Sequence, residues 1–349
     1  MEKVRLGDIC VLHYGKSLTA NKRINGNVPV YSSAGLIGYH NVPLVNNRGI
    51  IIGRKGTVGK VYKTDKPFYC IDTAFYILPD DDVYDFDYLY YCLKSLGLEN
   101  LNEDSAVPGL NRETAYSQLI YFPKIEIQKK IAKILLDIDL KIENNAKIND
   151  NLEKLLVYMY ENMIKNHTDW TNATLDQFCN IFTGKKNANQ YNKNGIYKFF
   201  TCGEKILRIN SYIFDGPAII ISGNGSYTGR TLFYNGKFDL YQRTYACTLK
   251  PNIPNSYIYG LYIILKVALH KKISGGTHGS SIPYIVMNDI AKFEFKLNYE
   301  LFKIFSNYAK NILTLIQKND FESQKLSDIR NVFLPKLMNN DINISDFYL

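Results

Sequence analysis

Two glycine-rich segments carry the side chains best suited to bind an anion. The first reads GRKGTVGK over residues 53–60, and the second reads GNGSYTGR over residues 223–230. Glycine lets the backbone approach a ligand closely, and the neighbouring Lys, Arg, Ser and Asn donate hydrogen bonds to phosphate oxygens or base edges. We therefore predict nucleic acid contacts at and around both segments.

The predicted contacts form two sets, one in each half of the chain. The first set is Lys16, Ser32, Ser33, Tyr39, Arg54, Lys55, Thr57 and Lys60. The second set is Lys185, Lys186, Thr201, Asn224, Ser226, Tyr227, Arg230, Thr277, His278 and Ser280. Any single member is equally consistent with an exposed turn residue that binds nothing, so the prediction concerns the sets.

Catalytic interpretations find little support in the sequence. Residues 53–60 miss the P-loop spacing and are followed by Val61 where a P-loop has Ser or Thr, and residues 223–229 miss the dinucleotide fingerprint by one residue. The Asp/Asn-Pro-Pro-aromatic element of an amino-methyltransferase is absent. Asp289 with residues 294–296 imitates a nuclease D…ExK set but has no counterpart in the first half. We predict a chain without catalytic residues or a metal site.

Composition narrows the class of protein. The 349 residues are 46% apolar, enough for the cores of two or three domains. The amino terminus, MEKVRLGDI, lacks an apolar signal region, and the most apolar run, residues 258–269, is short and contains Lys266. The six cysteines form no CxxC pair and are predicted to be buried thiols. We predict a folded cytoplasmic protein without a membrane segment.

The sequence repeats itself, and self-similarity outweighs local motifs. The Leu, Cys, Gly and Lys of residues 6–16 recur 169 positions later in residues 175–185. The apolar run and glycine-rich turn of residues 50–59 recur at residues 219–229. A long helical pattern follows each copy. The predicted order is domain, helix, domain, helix and tail, at residues 1–123, 124–166, 171–296, 298–338 and 339–349.

Each globular segment is predicted to be a mixed α/β domain in which strands dominate. Runs rich in Ile, Val, Tyr and Phe alternate with Gly, Asn and Asp turns. The clearest runs are residues 28–31, 49–52, 75–78, 197–200, 218–221 and 245–249. One helix per domain is expected at residues 85–96 and 256–269, where apolar residues have helical spacing. The predicted fold class is α+β.

The long helical patterns are typical of a coiled coil. In the first, the a positions of a heptad repeat are Ile131, Ile138, Asn145, Leu152 and Met159, with apolar residues at most d and several e positions. A shift of 174 positions reproduces the pattern in the second helix, where Asn319 matches Asn145. An Asn at an a position fixes the register of a partner helix, so we predict that these two residues meet. The alternative is that each Asn is solvated.

Connectivity predicts that the two helices run antiparallel. At about 1.5 Å per residue the first helix would be about 60 Å long. A domain with a radius of gyration of about 14 Å cannot return the chain to the start of that helix. The two domains would then be related by a pseudo-two-fold axis through an antiparallel coiled coil. Pro335 should end or kink the second helix near Leu334.

The net charge of +9 comes from one segment. Residues 171–296 carry 15 Lys and Arg against 6 Asp and Glu, whereas residues 1–123 carry 13 of each. A basic domain favours a polyanionic partner, although Lys-rich surfaces also arise from composition alone. Two similar domains held at a fixed spacing suit a split, roughly palindromic DNA duplex.

Several stretches carry a family resemblance. The opening LGDICVLHYGK, the turn IIIGRKGTVGK, the run SAVPGLNRETAYSQLIYFPKIEIQKKIAKIL and the C-terminal FLPKLM resemble the DNA-specificity (S) subunits of Type I restriction-modification systems. The resemblance covers nearly the whole chain. The second long helix departs from the pattern, because it begins NYELF where the first has KIEIQ.

The resemblance implies a non-catalytic subunit with two target recognition domains. Each domain would read one half of a bipartite double-stranded DNA site, and the paired helices would set the spacer. The helices, with their extra apolar e positions, would dock two methyltransferase (modification) subunits. Restriction (motor/nuclease) subunits would complete the complex. S-adenosylmethionine and ATP would bind those partners, and this chain would bind no cofactor.

Two other classes of protein remain open from the sequence. A freestanding two-fold DNA-binding regulator would share the basic domain, but no recognition-helix motif stands out, and regulators commonly dimerise instead of duplicating. A scaffold that used its coiled coil only for protein partners would leave the charge of the second domain unexplained.

Overall fold

The computed structural model describes residues 3–101, 109–274 and 284–342. The chain forms two compact units, and both long helices contribute to each. Unit 1 comprises residues 1–144 and 322–349, and unit 2 comprises residues 145–321. Because each unit combines a globular segment with half of each long helix, the linear division into domains and helices stays a prediction.

Unit 1 contains short strands, two short helices and the beginning of a long one. The strands are β1 (Lys3–Arg5), β2 (His13–Tyr14), β3 (Val28–Ser32), β4 (Gly35–His40), β5 (Gly49–Gly53), β6 (Val61–Thr64), β7 (Tyr69–Cys70), β8 (Ala74–Ile77) and β9 (Leu119–Tyr121). The helices are α1 (Phe86–Ser95), α2 (Arg112–Tyr116) and α3 (Ile125–Asn166), which continues into unit 2.

The main sheet of unit 1 has the antiparallel order β2-β8-β5-β6. Every residue of β5 is buried, as expected for a central strand made of isoleucines between two glycines. A second sheet has the order β4-β3-β7, and β1 pairs with β9. The strands predicted at residues 28–31, 49–52 and 75–78 are confirmed.

Unit 2 repeats this plan with longer strands. The strands are β10 (Thr171–Thr174), β11 (Cys179–Thr183), β12 (Tyr197–Phe200), β13 (Leu207–Ile209), β14 (Phe214–Ser222), β15 (Thr231–Leu240), β16 (Thr244–Leu249) and β17 (Glu294–Leu297). The helices are α4 (Tyr257–Ser274), α5 (Met287–Ala291) and α6 (Tyr299–Met338), whose last part belongs to unit 1.

The main sheet of unit 2 has the order β11-β16-β14-β15-β12-β13, and β10 pairs with β17. The apolar helix α4 packs in the same core as this sheet, with Ile258 and Leu261 fully buried alongside Ile219. Among the helices that the structure describes, none is long and apolar enough to span a lipid bilayer. The apolar run of residues 258–269 is therefore a core helix.

Within unit 2, α3 and α6 run antiparallel. The ring of Tyr160 lies 6.0 Å from that of Phe305. Nearer the middle of both helices, the Asn319 side-chain amide donates to Asn149 Oδ1 at 2.8 Å. The Asn145 side-chain amide donates to the Asn319 carbonyl at 3.4 Å. The prediction that Asn145 and Asn319 meet is confirmed.

Within unit 1, the same two helices are also antiparallel. Lys141 on α3 pairs with Glu322 on α6 at 3.2 Å. Asp139, which precedes Lys141, pairs with Arg330, which follows Glu322. Asp139 also accepts a hydrogen bond from the Tyr91 hydroxyl at 2.7 Å, so this ion pair joins both helices to α1.

The buried face of each long helix differs from the predicted seam. Leu135 and Leu156, at e positions of α3, are fully buried against the globular cores, so the helix packs on more than its partner, as predicted. The d positions Ile148 and Leu155 are instead 46% and 44% exposed. Packing against a partner helix and a globular core together turns the a and e rows inward and the d row outward. The expectation that e positions dock other subunits is therefore wrong for Leu135 and Leu156.

The changed start of the second long helix has a structural explanation. The buried Gln128 side chain of α3 accepts a hydrogen bond from the Asp85 N–H at 2.9 Å and donates to the Pro123 carbonyl at 2.8 Å. At the matching position of α6, Phe302 is buried, and its ring centre lies 4.9 Å from that of Tyr257. The second copy thus exchanges a buried polar contact for an aromatic one.

The expected end of α6 near Leu334 is wrong. The helix continues through Pro335 to Met338. Leu337 and Met338 are 2% and 3% exposed in the core of unit 1, and this burial offsets the hydrogen bond that Pro335 cannot donate. The left-handed residue Asn340, with φ of 59°, follows the helix end.

Close packing of α4 on α6 predicts a sensitive glycine in unit 2. A Cβ at Gly260 would overlap the Ser306 hydroxyl and stand 2.7 Å from Phe302 Cε2. We expect Gly260→Ala to lower the free energy of unfolding by about 1–3 kcal/mol, measured by urea denaturation of the full chain. Ser306→Ala is the control, because the buried Ser306 hydroxyl has no hydrogen-bond partner among the described residues and its loss should not destabilise. A Gly260→Ala chain as stable as the wild type would contradict the packing argument.

Candidate nucleic-acid interface

The glycine-rich turns of the two units have the same backbone hydrogen bonds. In unit 1, the Gly53 N–H donates to the Lys60 carbonyl and the Gly59 N–H donates to the Gly53 carbonyl, both at 2.8 Å. In unit 2, the Gly229 N–H donates to the Ser222 carbonyl at 2.8 Å in the matching place. Gly59 and Gly229 have φ of 71° and 80°, a conformation that favours glycine. The sequence repeat is therefore a repeat of local structure.

Other loops join the first turn through β8. The Thr73 carbonyl accepts hydrogen bonds from the Arg54 and Lys55 N–H groups at 2.9 and 3.0 Å. The Thr73 hydroxyl accepts one from the Ser33 N–H at 3.3 Å, and the Gly15 N–H donates to the neighbouring Ala74 carbonyl at 3.2 Å. We name this group loop cluster 1, comprising residues 14–16, 32–35, 53–60, 72–75 and 109–113.

Unit 2 assembles the matching loops. The Gly223 N–H donates to the Arg243 carbonyl at 2.9 Å, and the Gln242 N–H donates to the Lys186 carbonyl at 3.0 Å. The Arg230 guanidinium donates to the Gly203 carbonyl at 2.6 Å. We name this group loop cluster 2, comprising residues 183–186, 201–204, 222–230, 242–245 and 284–287.

The predicted contact residues differ in how accessible they are. Exposed members are Lys16, Tyr39, Lys55, Thr57, Lys60, Lys185, Ser226 and Tyr227. Partly exposed members are Arg54, Lys186, Asn224 and Arg230. Buried members are Ser32, Ser33 and Thr201. Thr277, His278 and Ser280 lie outside the described residues. All described members except Tyr39, which lies on β4, belong to the loop clusters, and their role in binding stays a prediction.

The buried hydroxyl groups shape the turns. Ser32 Oγ accepts a hydrogen bond from the Ala34 N–H at 3.1 Å and donates to the Gly35 carbonyl at 3.4 Å. Thr201 Oγ1 accepts one from the Gly203 N–H at 3.2 Å. These groups already have partners inside the turn, so we expect them to position neighbouring residues.

Arg230 also has a positioning contact. Its guanidinium bonds to the backbone carbonyls of Gly203 and Glu204 and stacks 4.9 Å from the centre of the Tyr227 ring. The side chain therefore ties the glycine-rich turn to the turn at residues 201–204. Removing it should loosen both turns at once.

Sequence reasoning missed several residues that the fold brings to these surfaces. Tyr14 and Arg112 lie in loop cluster 1, and Arg243 lies in loop cluster 2. A groove of about 810 Å³ in unit 2, lined by Lys186, Asn189, Gln190, Asn192 and Asn210 among others, was also missed. Its amide groups suit adenine edges. The cluster of Asn and Gln residues after Lys185 is the sequence feature from which this groove could have been predicted.

Two carboxylates of unit 2 have structural roles, and one of them is Asp289, which was considered for catalysis. Asp289 accepts a hydrogen bond from the Val286 N–H at 2.9 Å and caps α5. The hydrogen-bonded Lys292 lowers the pKa of Asp176, whose carboxylate lies 2.7 Å from Nζ. Within residues 3–101, 109–274 and 284–342, no group of three or more His, Cys, Asp and Glu could hold a metal ion.

Cysteine labelling should report on loop cluster 2. Five of the six cysteines are buried, but Cys202 is partly exposed, so the prediction of six buried thiols is wrong for that residue. Burial raises the pKa of Cys10, Cys70, Cys92 and Cys179 to about 12. We expect one thiol, the partly exposed Cys202, to react with a maleimide at neutral pH much faster than the buried thiols, because the thiolate is the nucleophile and burial disfavours it. Mass spectrometry locates the adduct, and Cys202→Ser should remove it. A second fast thiol in the native protein would contradict the assigned burial.

Comparison with known proteins places this architecture in a family. A family model described as Type I restriction modification DNA specificity domain matches residues 1–154 and again residues 167–320. The chain is 40% identical over 122 residues to the Type I restriction enzyme EcoDI specificity subunit of Escherichia coli, covering 35% of this chain and 26% of that protein. It is 23% identical over 340 residues to the Type I restriction enzyme MjaIX specificity subunit of Methanocaldococcus jannaschii, covering 85% of this chain and 78% of that protein.

A solved structure supports the same fold. The Type I restriction-modification system S subunit from M. genitalium superimposes with a TM-score of 0.66 at 17% identity, over 97% of this chain and 96% of that one. The aligned region spans about a quarter of the E. coli relative, so that likeness concerns part of the protein. Since the two matches of the family model together cover most of the sequence, the chain belongs to the family of Type I restriction-modification DNA specificity proteins.

Proposed function

We propose that this chain is the sequence-specific DNA recognition subunit of a Type I restriction-modification complex. The observation that carries the proposal is the pair of loop clusters, which share a backbone frame and differ in side chains. A shared frame would place each cluster on duplex DNA in the same way, and different side chains would read different bases. A bipartite site with two different half-sequences is therefore expected. The freestanding regulator is not favoured, because the family model matches both halves of the chain.

Catalysis is assigned to partner subunits. Asp289, which was considered for a nuclease site, caps α5, and the loop clusters offer hydrogen-bond donors in place of paired acids and bases. Methyl transfer and cleavage would require S-adenosylmethionine and ATP on the modification and restriction subunits. The absence of a cofactor on this chain, and its cytoplasmic location, stay predictions.

The long helices offer a surface for the modification subunits. On α3, the exposed apolar residues Ile148, Leu155 and Tyr158 form a stripe with heptad spacing in unit 2. The shift of 174 positions carries Leu155 and Tyr158 onto Ile329 and Val332 of α6, which are 46% and 54% exposed in unit 1. Exposed apolar stripes of this kind mark protein contacts. Because exposed apolar residues at matching positions occur in both units, they suit two copies of one partner.

Co-expression with the neighbouring genes tests the proposal. We expect the chain to copurify with two copies of a modification subunit, and methylome sequencing to show one bipartite methylated site. Changing Ser226 and Tyr227 to alanine together should alter one half-site, and the matched change Thr57→Ala should affect only the other. A chain that stays alone and directs no methylation would contradict the function. Loss of both half-sites in each variant would contradict the assignment of one reader to each unit.

A further inference from the structure

A cavity of about 330 Å³ lies within loop cluster 1. Its lining includes the cationic side chains of Arg54, Lys55 and Arg112 and the aromatic ring of Tyr14. Among the described residues that line it, Glu113 is the one carboxylate. A small cavity with an excess of positive charge suits an anion.

Aromatic rings hold two of the cations. The guanidinium carbons of Arg54 and Arg112 lie 4.8 Å and 5.3 Å from the centre of the Tyr14 ring. Arg112 also lies 5.8 Å from the Tyr116 ring, and Arg54 lies 5.7 Å from the Phe75 ring. Stacking on a ring face orients a guanidinium while leaving its N–H groups available at the edge.

The N–H groups of both guanidinium groups are only partly used. Arg54 Nη1 donates to the Asp72 carbonyl at 3.2 Å. Arg112 Nε lies 3.6 Å from the exposed carboxylate of Glu113. Within the part of the chain that the structure describes, neither guanidinium donates to another acceptor. Donors from both therefore remain for a ligand.

Backbone contacts shape the cavity without a ligand. The Leu110 N–H donates to the Arg54 carbonyl at 2.8 Å, and Lys55 forms a β-bridge with Gly109. These contacts hold the start of α2, and with it Arg112, against the glycine-rich turn. The site is therefore organised before anything binds, which lowers the entropic cost of binding.

Unit 2 has the same backbone with different chemistry. The Ile285 N–H donates to the Gly223 carbonyl at 2.9 Å, and Asn224 forms a β-bridge with Tyr284. The three cations of the cavity are matched there by Gly223, Asn224 and Met287. Unit 2 nevertheless contains the more basic segment of the chain. General basic composition therefore does not explain the cavity of unit 1.

We propose that this cavity binds one backbone phosphate of the DNA beside the half-site that unit 1 reads. The inference rests on the proposed function and adds Arg112 and Tyr14 to its DNA contacts. A phosphate accepts hydrogen bonds from several directions, so its oxygens can bond Arg54, Lys55 and Arg112 together. A guanine base edge binds one guanidinium that lies in the plane of the base. Three cations around one small cavity do not match that arrangement.

Binding of a phosphate here would position unit 1 without reading sequence. It would also make the two half-sites unequal, because the described residues of unit 2 place no cation at the three matching positions. Because this phosphate contact releases counterions, we expect DNA binding through unit 1 to weaken more steeply with rising salt concentration than DNA binding through unit 2.

The test uses the chain assembled with its modification subunits and a duplex carrying the native methylated site. Dissociation constants are measured over a series of salt concentrations for the wild type, Arg112→Ala, Arg112→Lys and Lys55→Ala. Lys66→Ala, which removes an exposed cation of unit 1 outside loop cluster 1, is the control. Lys55 is exposed, so its replacement keeps the test independent of any folding defect caused by Arg112→Ala.

We expect Arg112→Ala to weaken binding about tenfold at low salt and to reduce the salt slope by about 1. The loss should be equal for the target and for a duplex with altered half-sites. Lys55→Ala should act in the same direction, Arg112→Lys should restore most of the slope, and Lys66→Ala should match the wild type.

Three outcomes would overturn the inference. The first is an unchanged salt slope in Arg112→Ala and Lys55→Ala. The second is altered preference at one base pair, which would assign the cavity to base readout. The third is thermal stabilisation of the wild type, but not Arg112→Ala, by millimolar inorganic phosphate while DNA binding is equal, which would assign it to a free anion. Failure of the wild-type complex to bind any specific duplex would instead contradict the proposed function.

Discussion

Replacing Ile148 and Leu155 with glutamate is expected to make this chain recover one copy of a modification subunit in a pull-down in place of two. Both side chains are nearly half exposed on α3, so the substitutions should leave the fold of unit 2 intact. In a complex, each would be covered by the partner, and a buried aliphatic side chain contributes about 1.5–3 kcal/mol. Two such losses, with two charges forced into an apolar contact, should weaken association by at least about a hundredfold.

Matched substitutions distinguish the loss of the docking surface from effects of added charge or of misfolding. Ala146 and Asn166 are exposed on the same helix, and changing both to glutamate adds the same charge away from the stripe. This control should bind as the wild type does, measured by interferometry with the purified modification subunit. Replacing Ile329 and Val332 with glutamate should remove the other copy. Equal binding by the Ile148/Leu155 variant and the wild type would show that the stripe is not the docking surface.

Lengthening both long helices by one heptad is expected to lengthen the spacer of the recognised site. Seven residues would be inserted after Asn144 in α3 and after Phe321 in α6, which preserves the antiparallel pairing on either side. The insertion adds about 10 Å of helix, close to three base pairs of duplex. Methylome sequencing should then show a spacer about three base pairs longer with both half-sites unchanged, because no loop-cluster residue is altered.

An insertion of two residues in each helix provides the control. Two residues are about half a helical turn, so the apolar rows beyond the insertion would rotate away from their cores and the chain should lose stability. A heptad variant that kept the original spacer and recognised new half-site bases would show that the helices and the loop clusters have been given the wrong roles.

Much of the fold follows from local features of the sequence. The strands around Ile50–Ile52 and Ile219–Ile221 and the two long helices were predicted because side-chain periodicity follows directly from strand and helix geometry. The repeat also predicted two similar units, and the shared heptad position of Asn145 and Asn319 predicted their contact. These inferences needed only comparison of one part of the chain with another.

The surfaces of the loop clusters required the tertiary structure. Ser32 and Thr201 have the residue type of a ligand donor, but turn geometry occupies their hydroxyl groups. Arg112 belongs to neither glycine-rich segment of the sequence, and folding brings it to the ring of Tyr14. These two residues are far apart in the chain, so their contact produces no motif of fixed spacing that the sequence could reveal.

The sequence by itself determined that this protein has two similar α+β units, two heptad helices and a basic second half. Only the tertiary structure decided which apolar row of each helix faces solvent and which cations share a cavity. Periodicity records that an apolar row exists, whereas the packing of helix, partner helix and globular core selects the row that is buried. The tertiary structure also decides which hydrogen-bond donors of these cations are available, because a side chain binds a ligand only where the surrounding fold has left its donors without a partner.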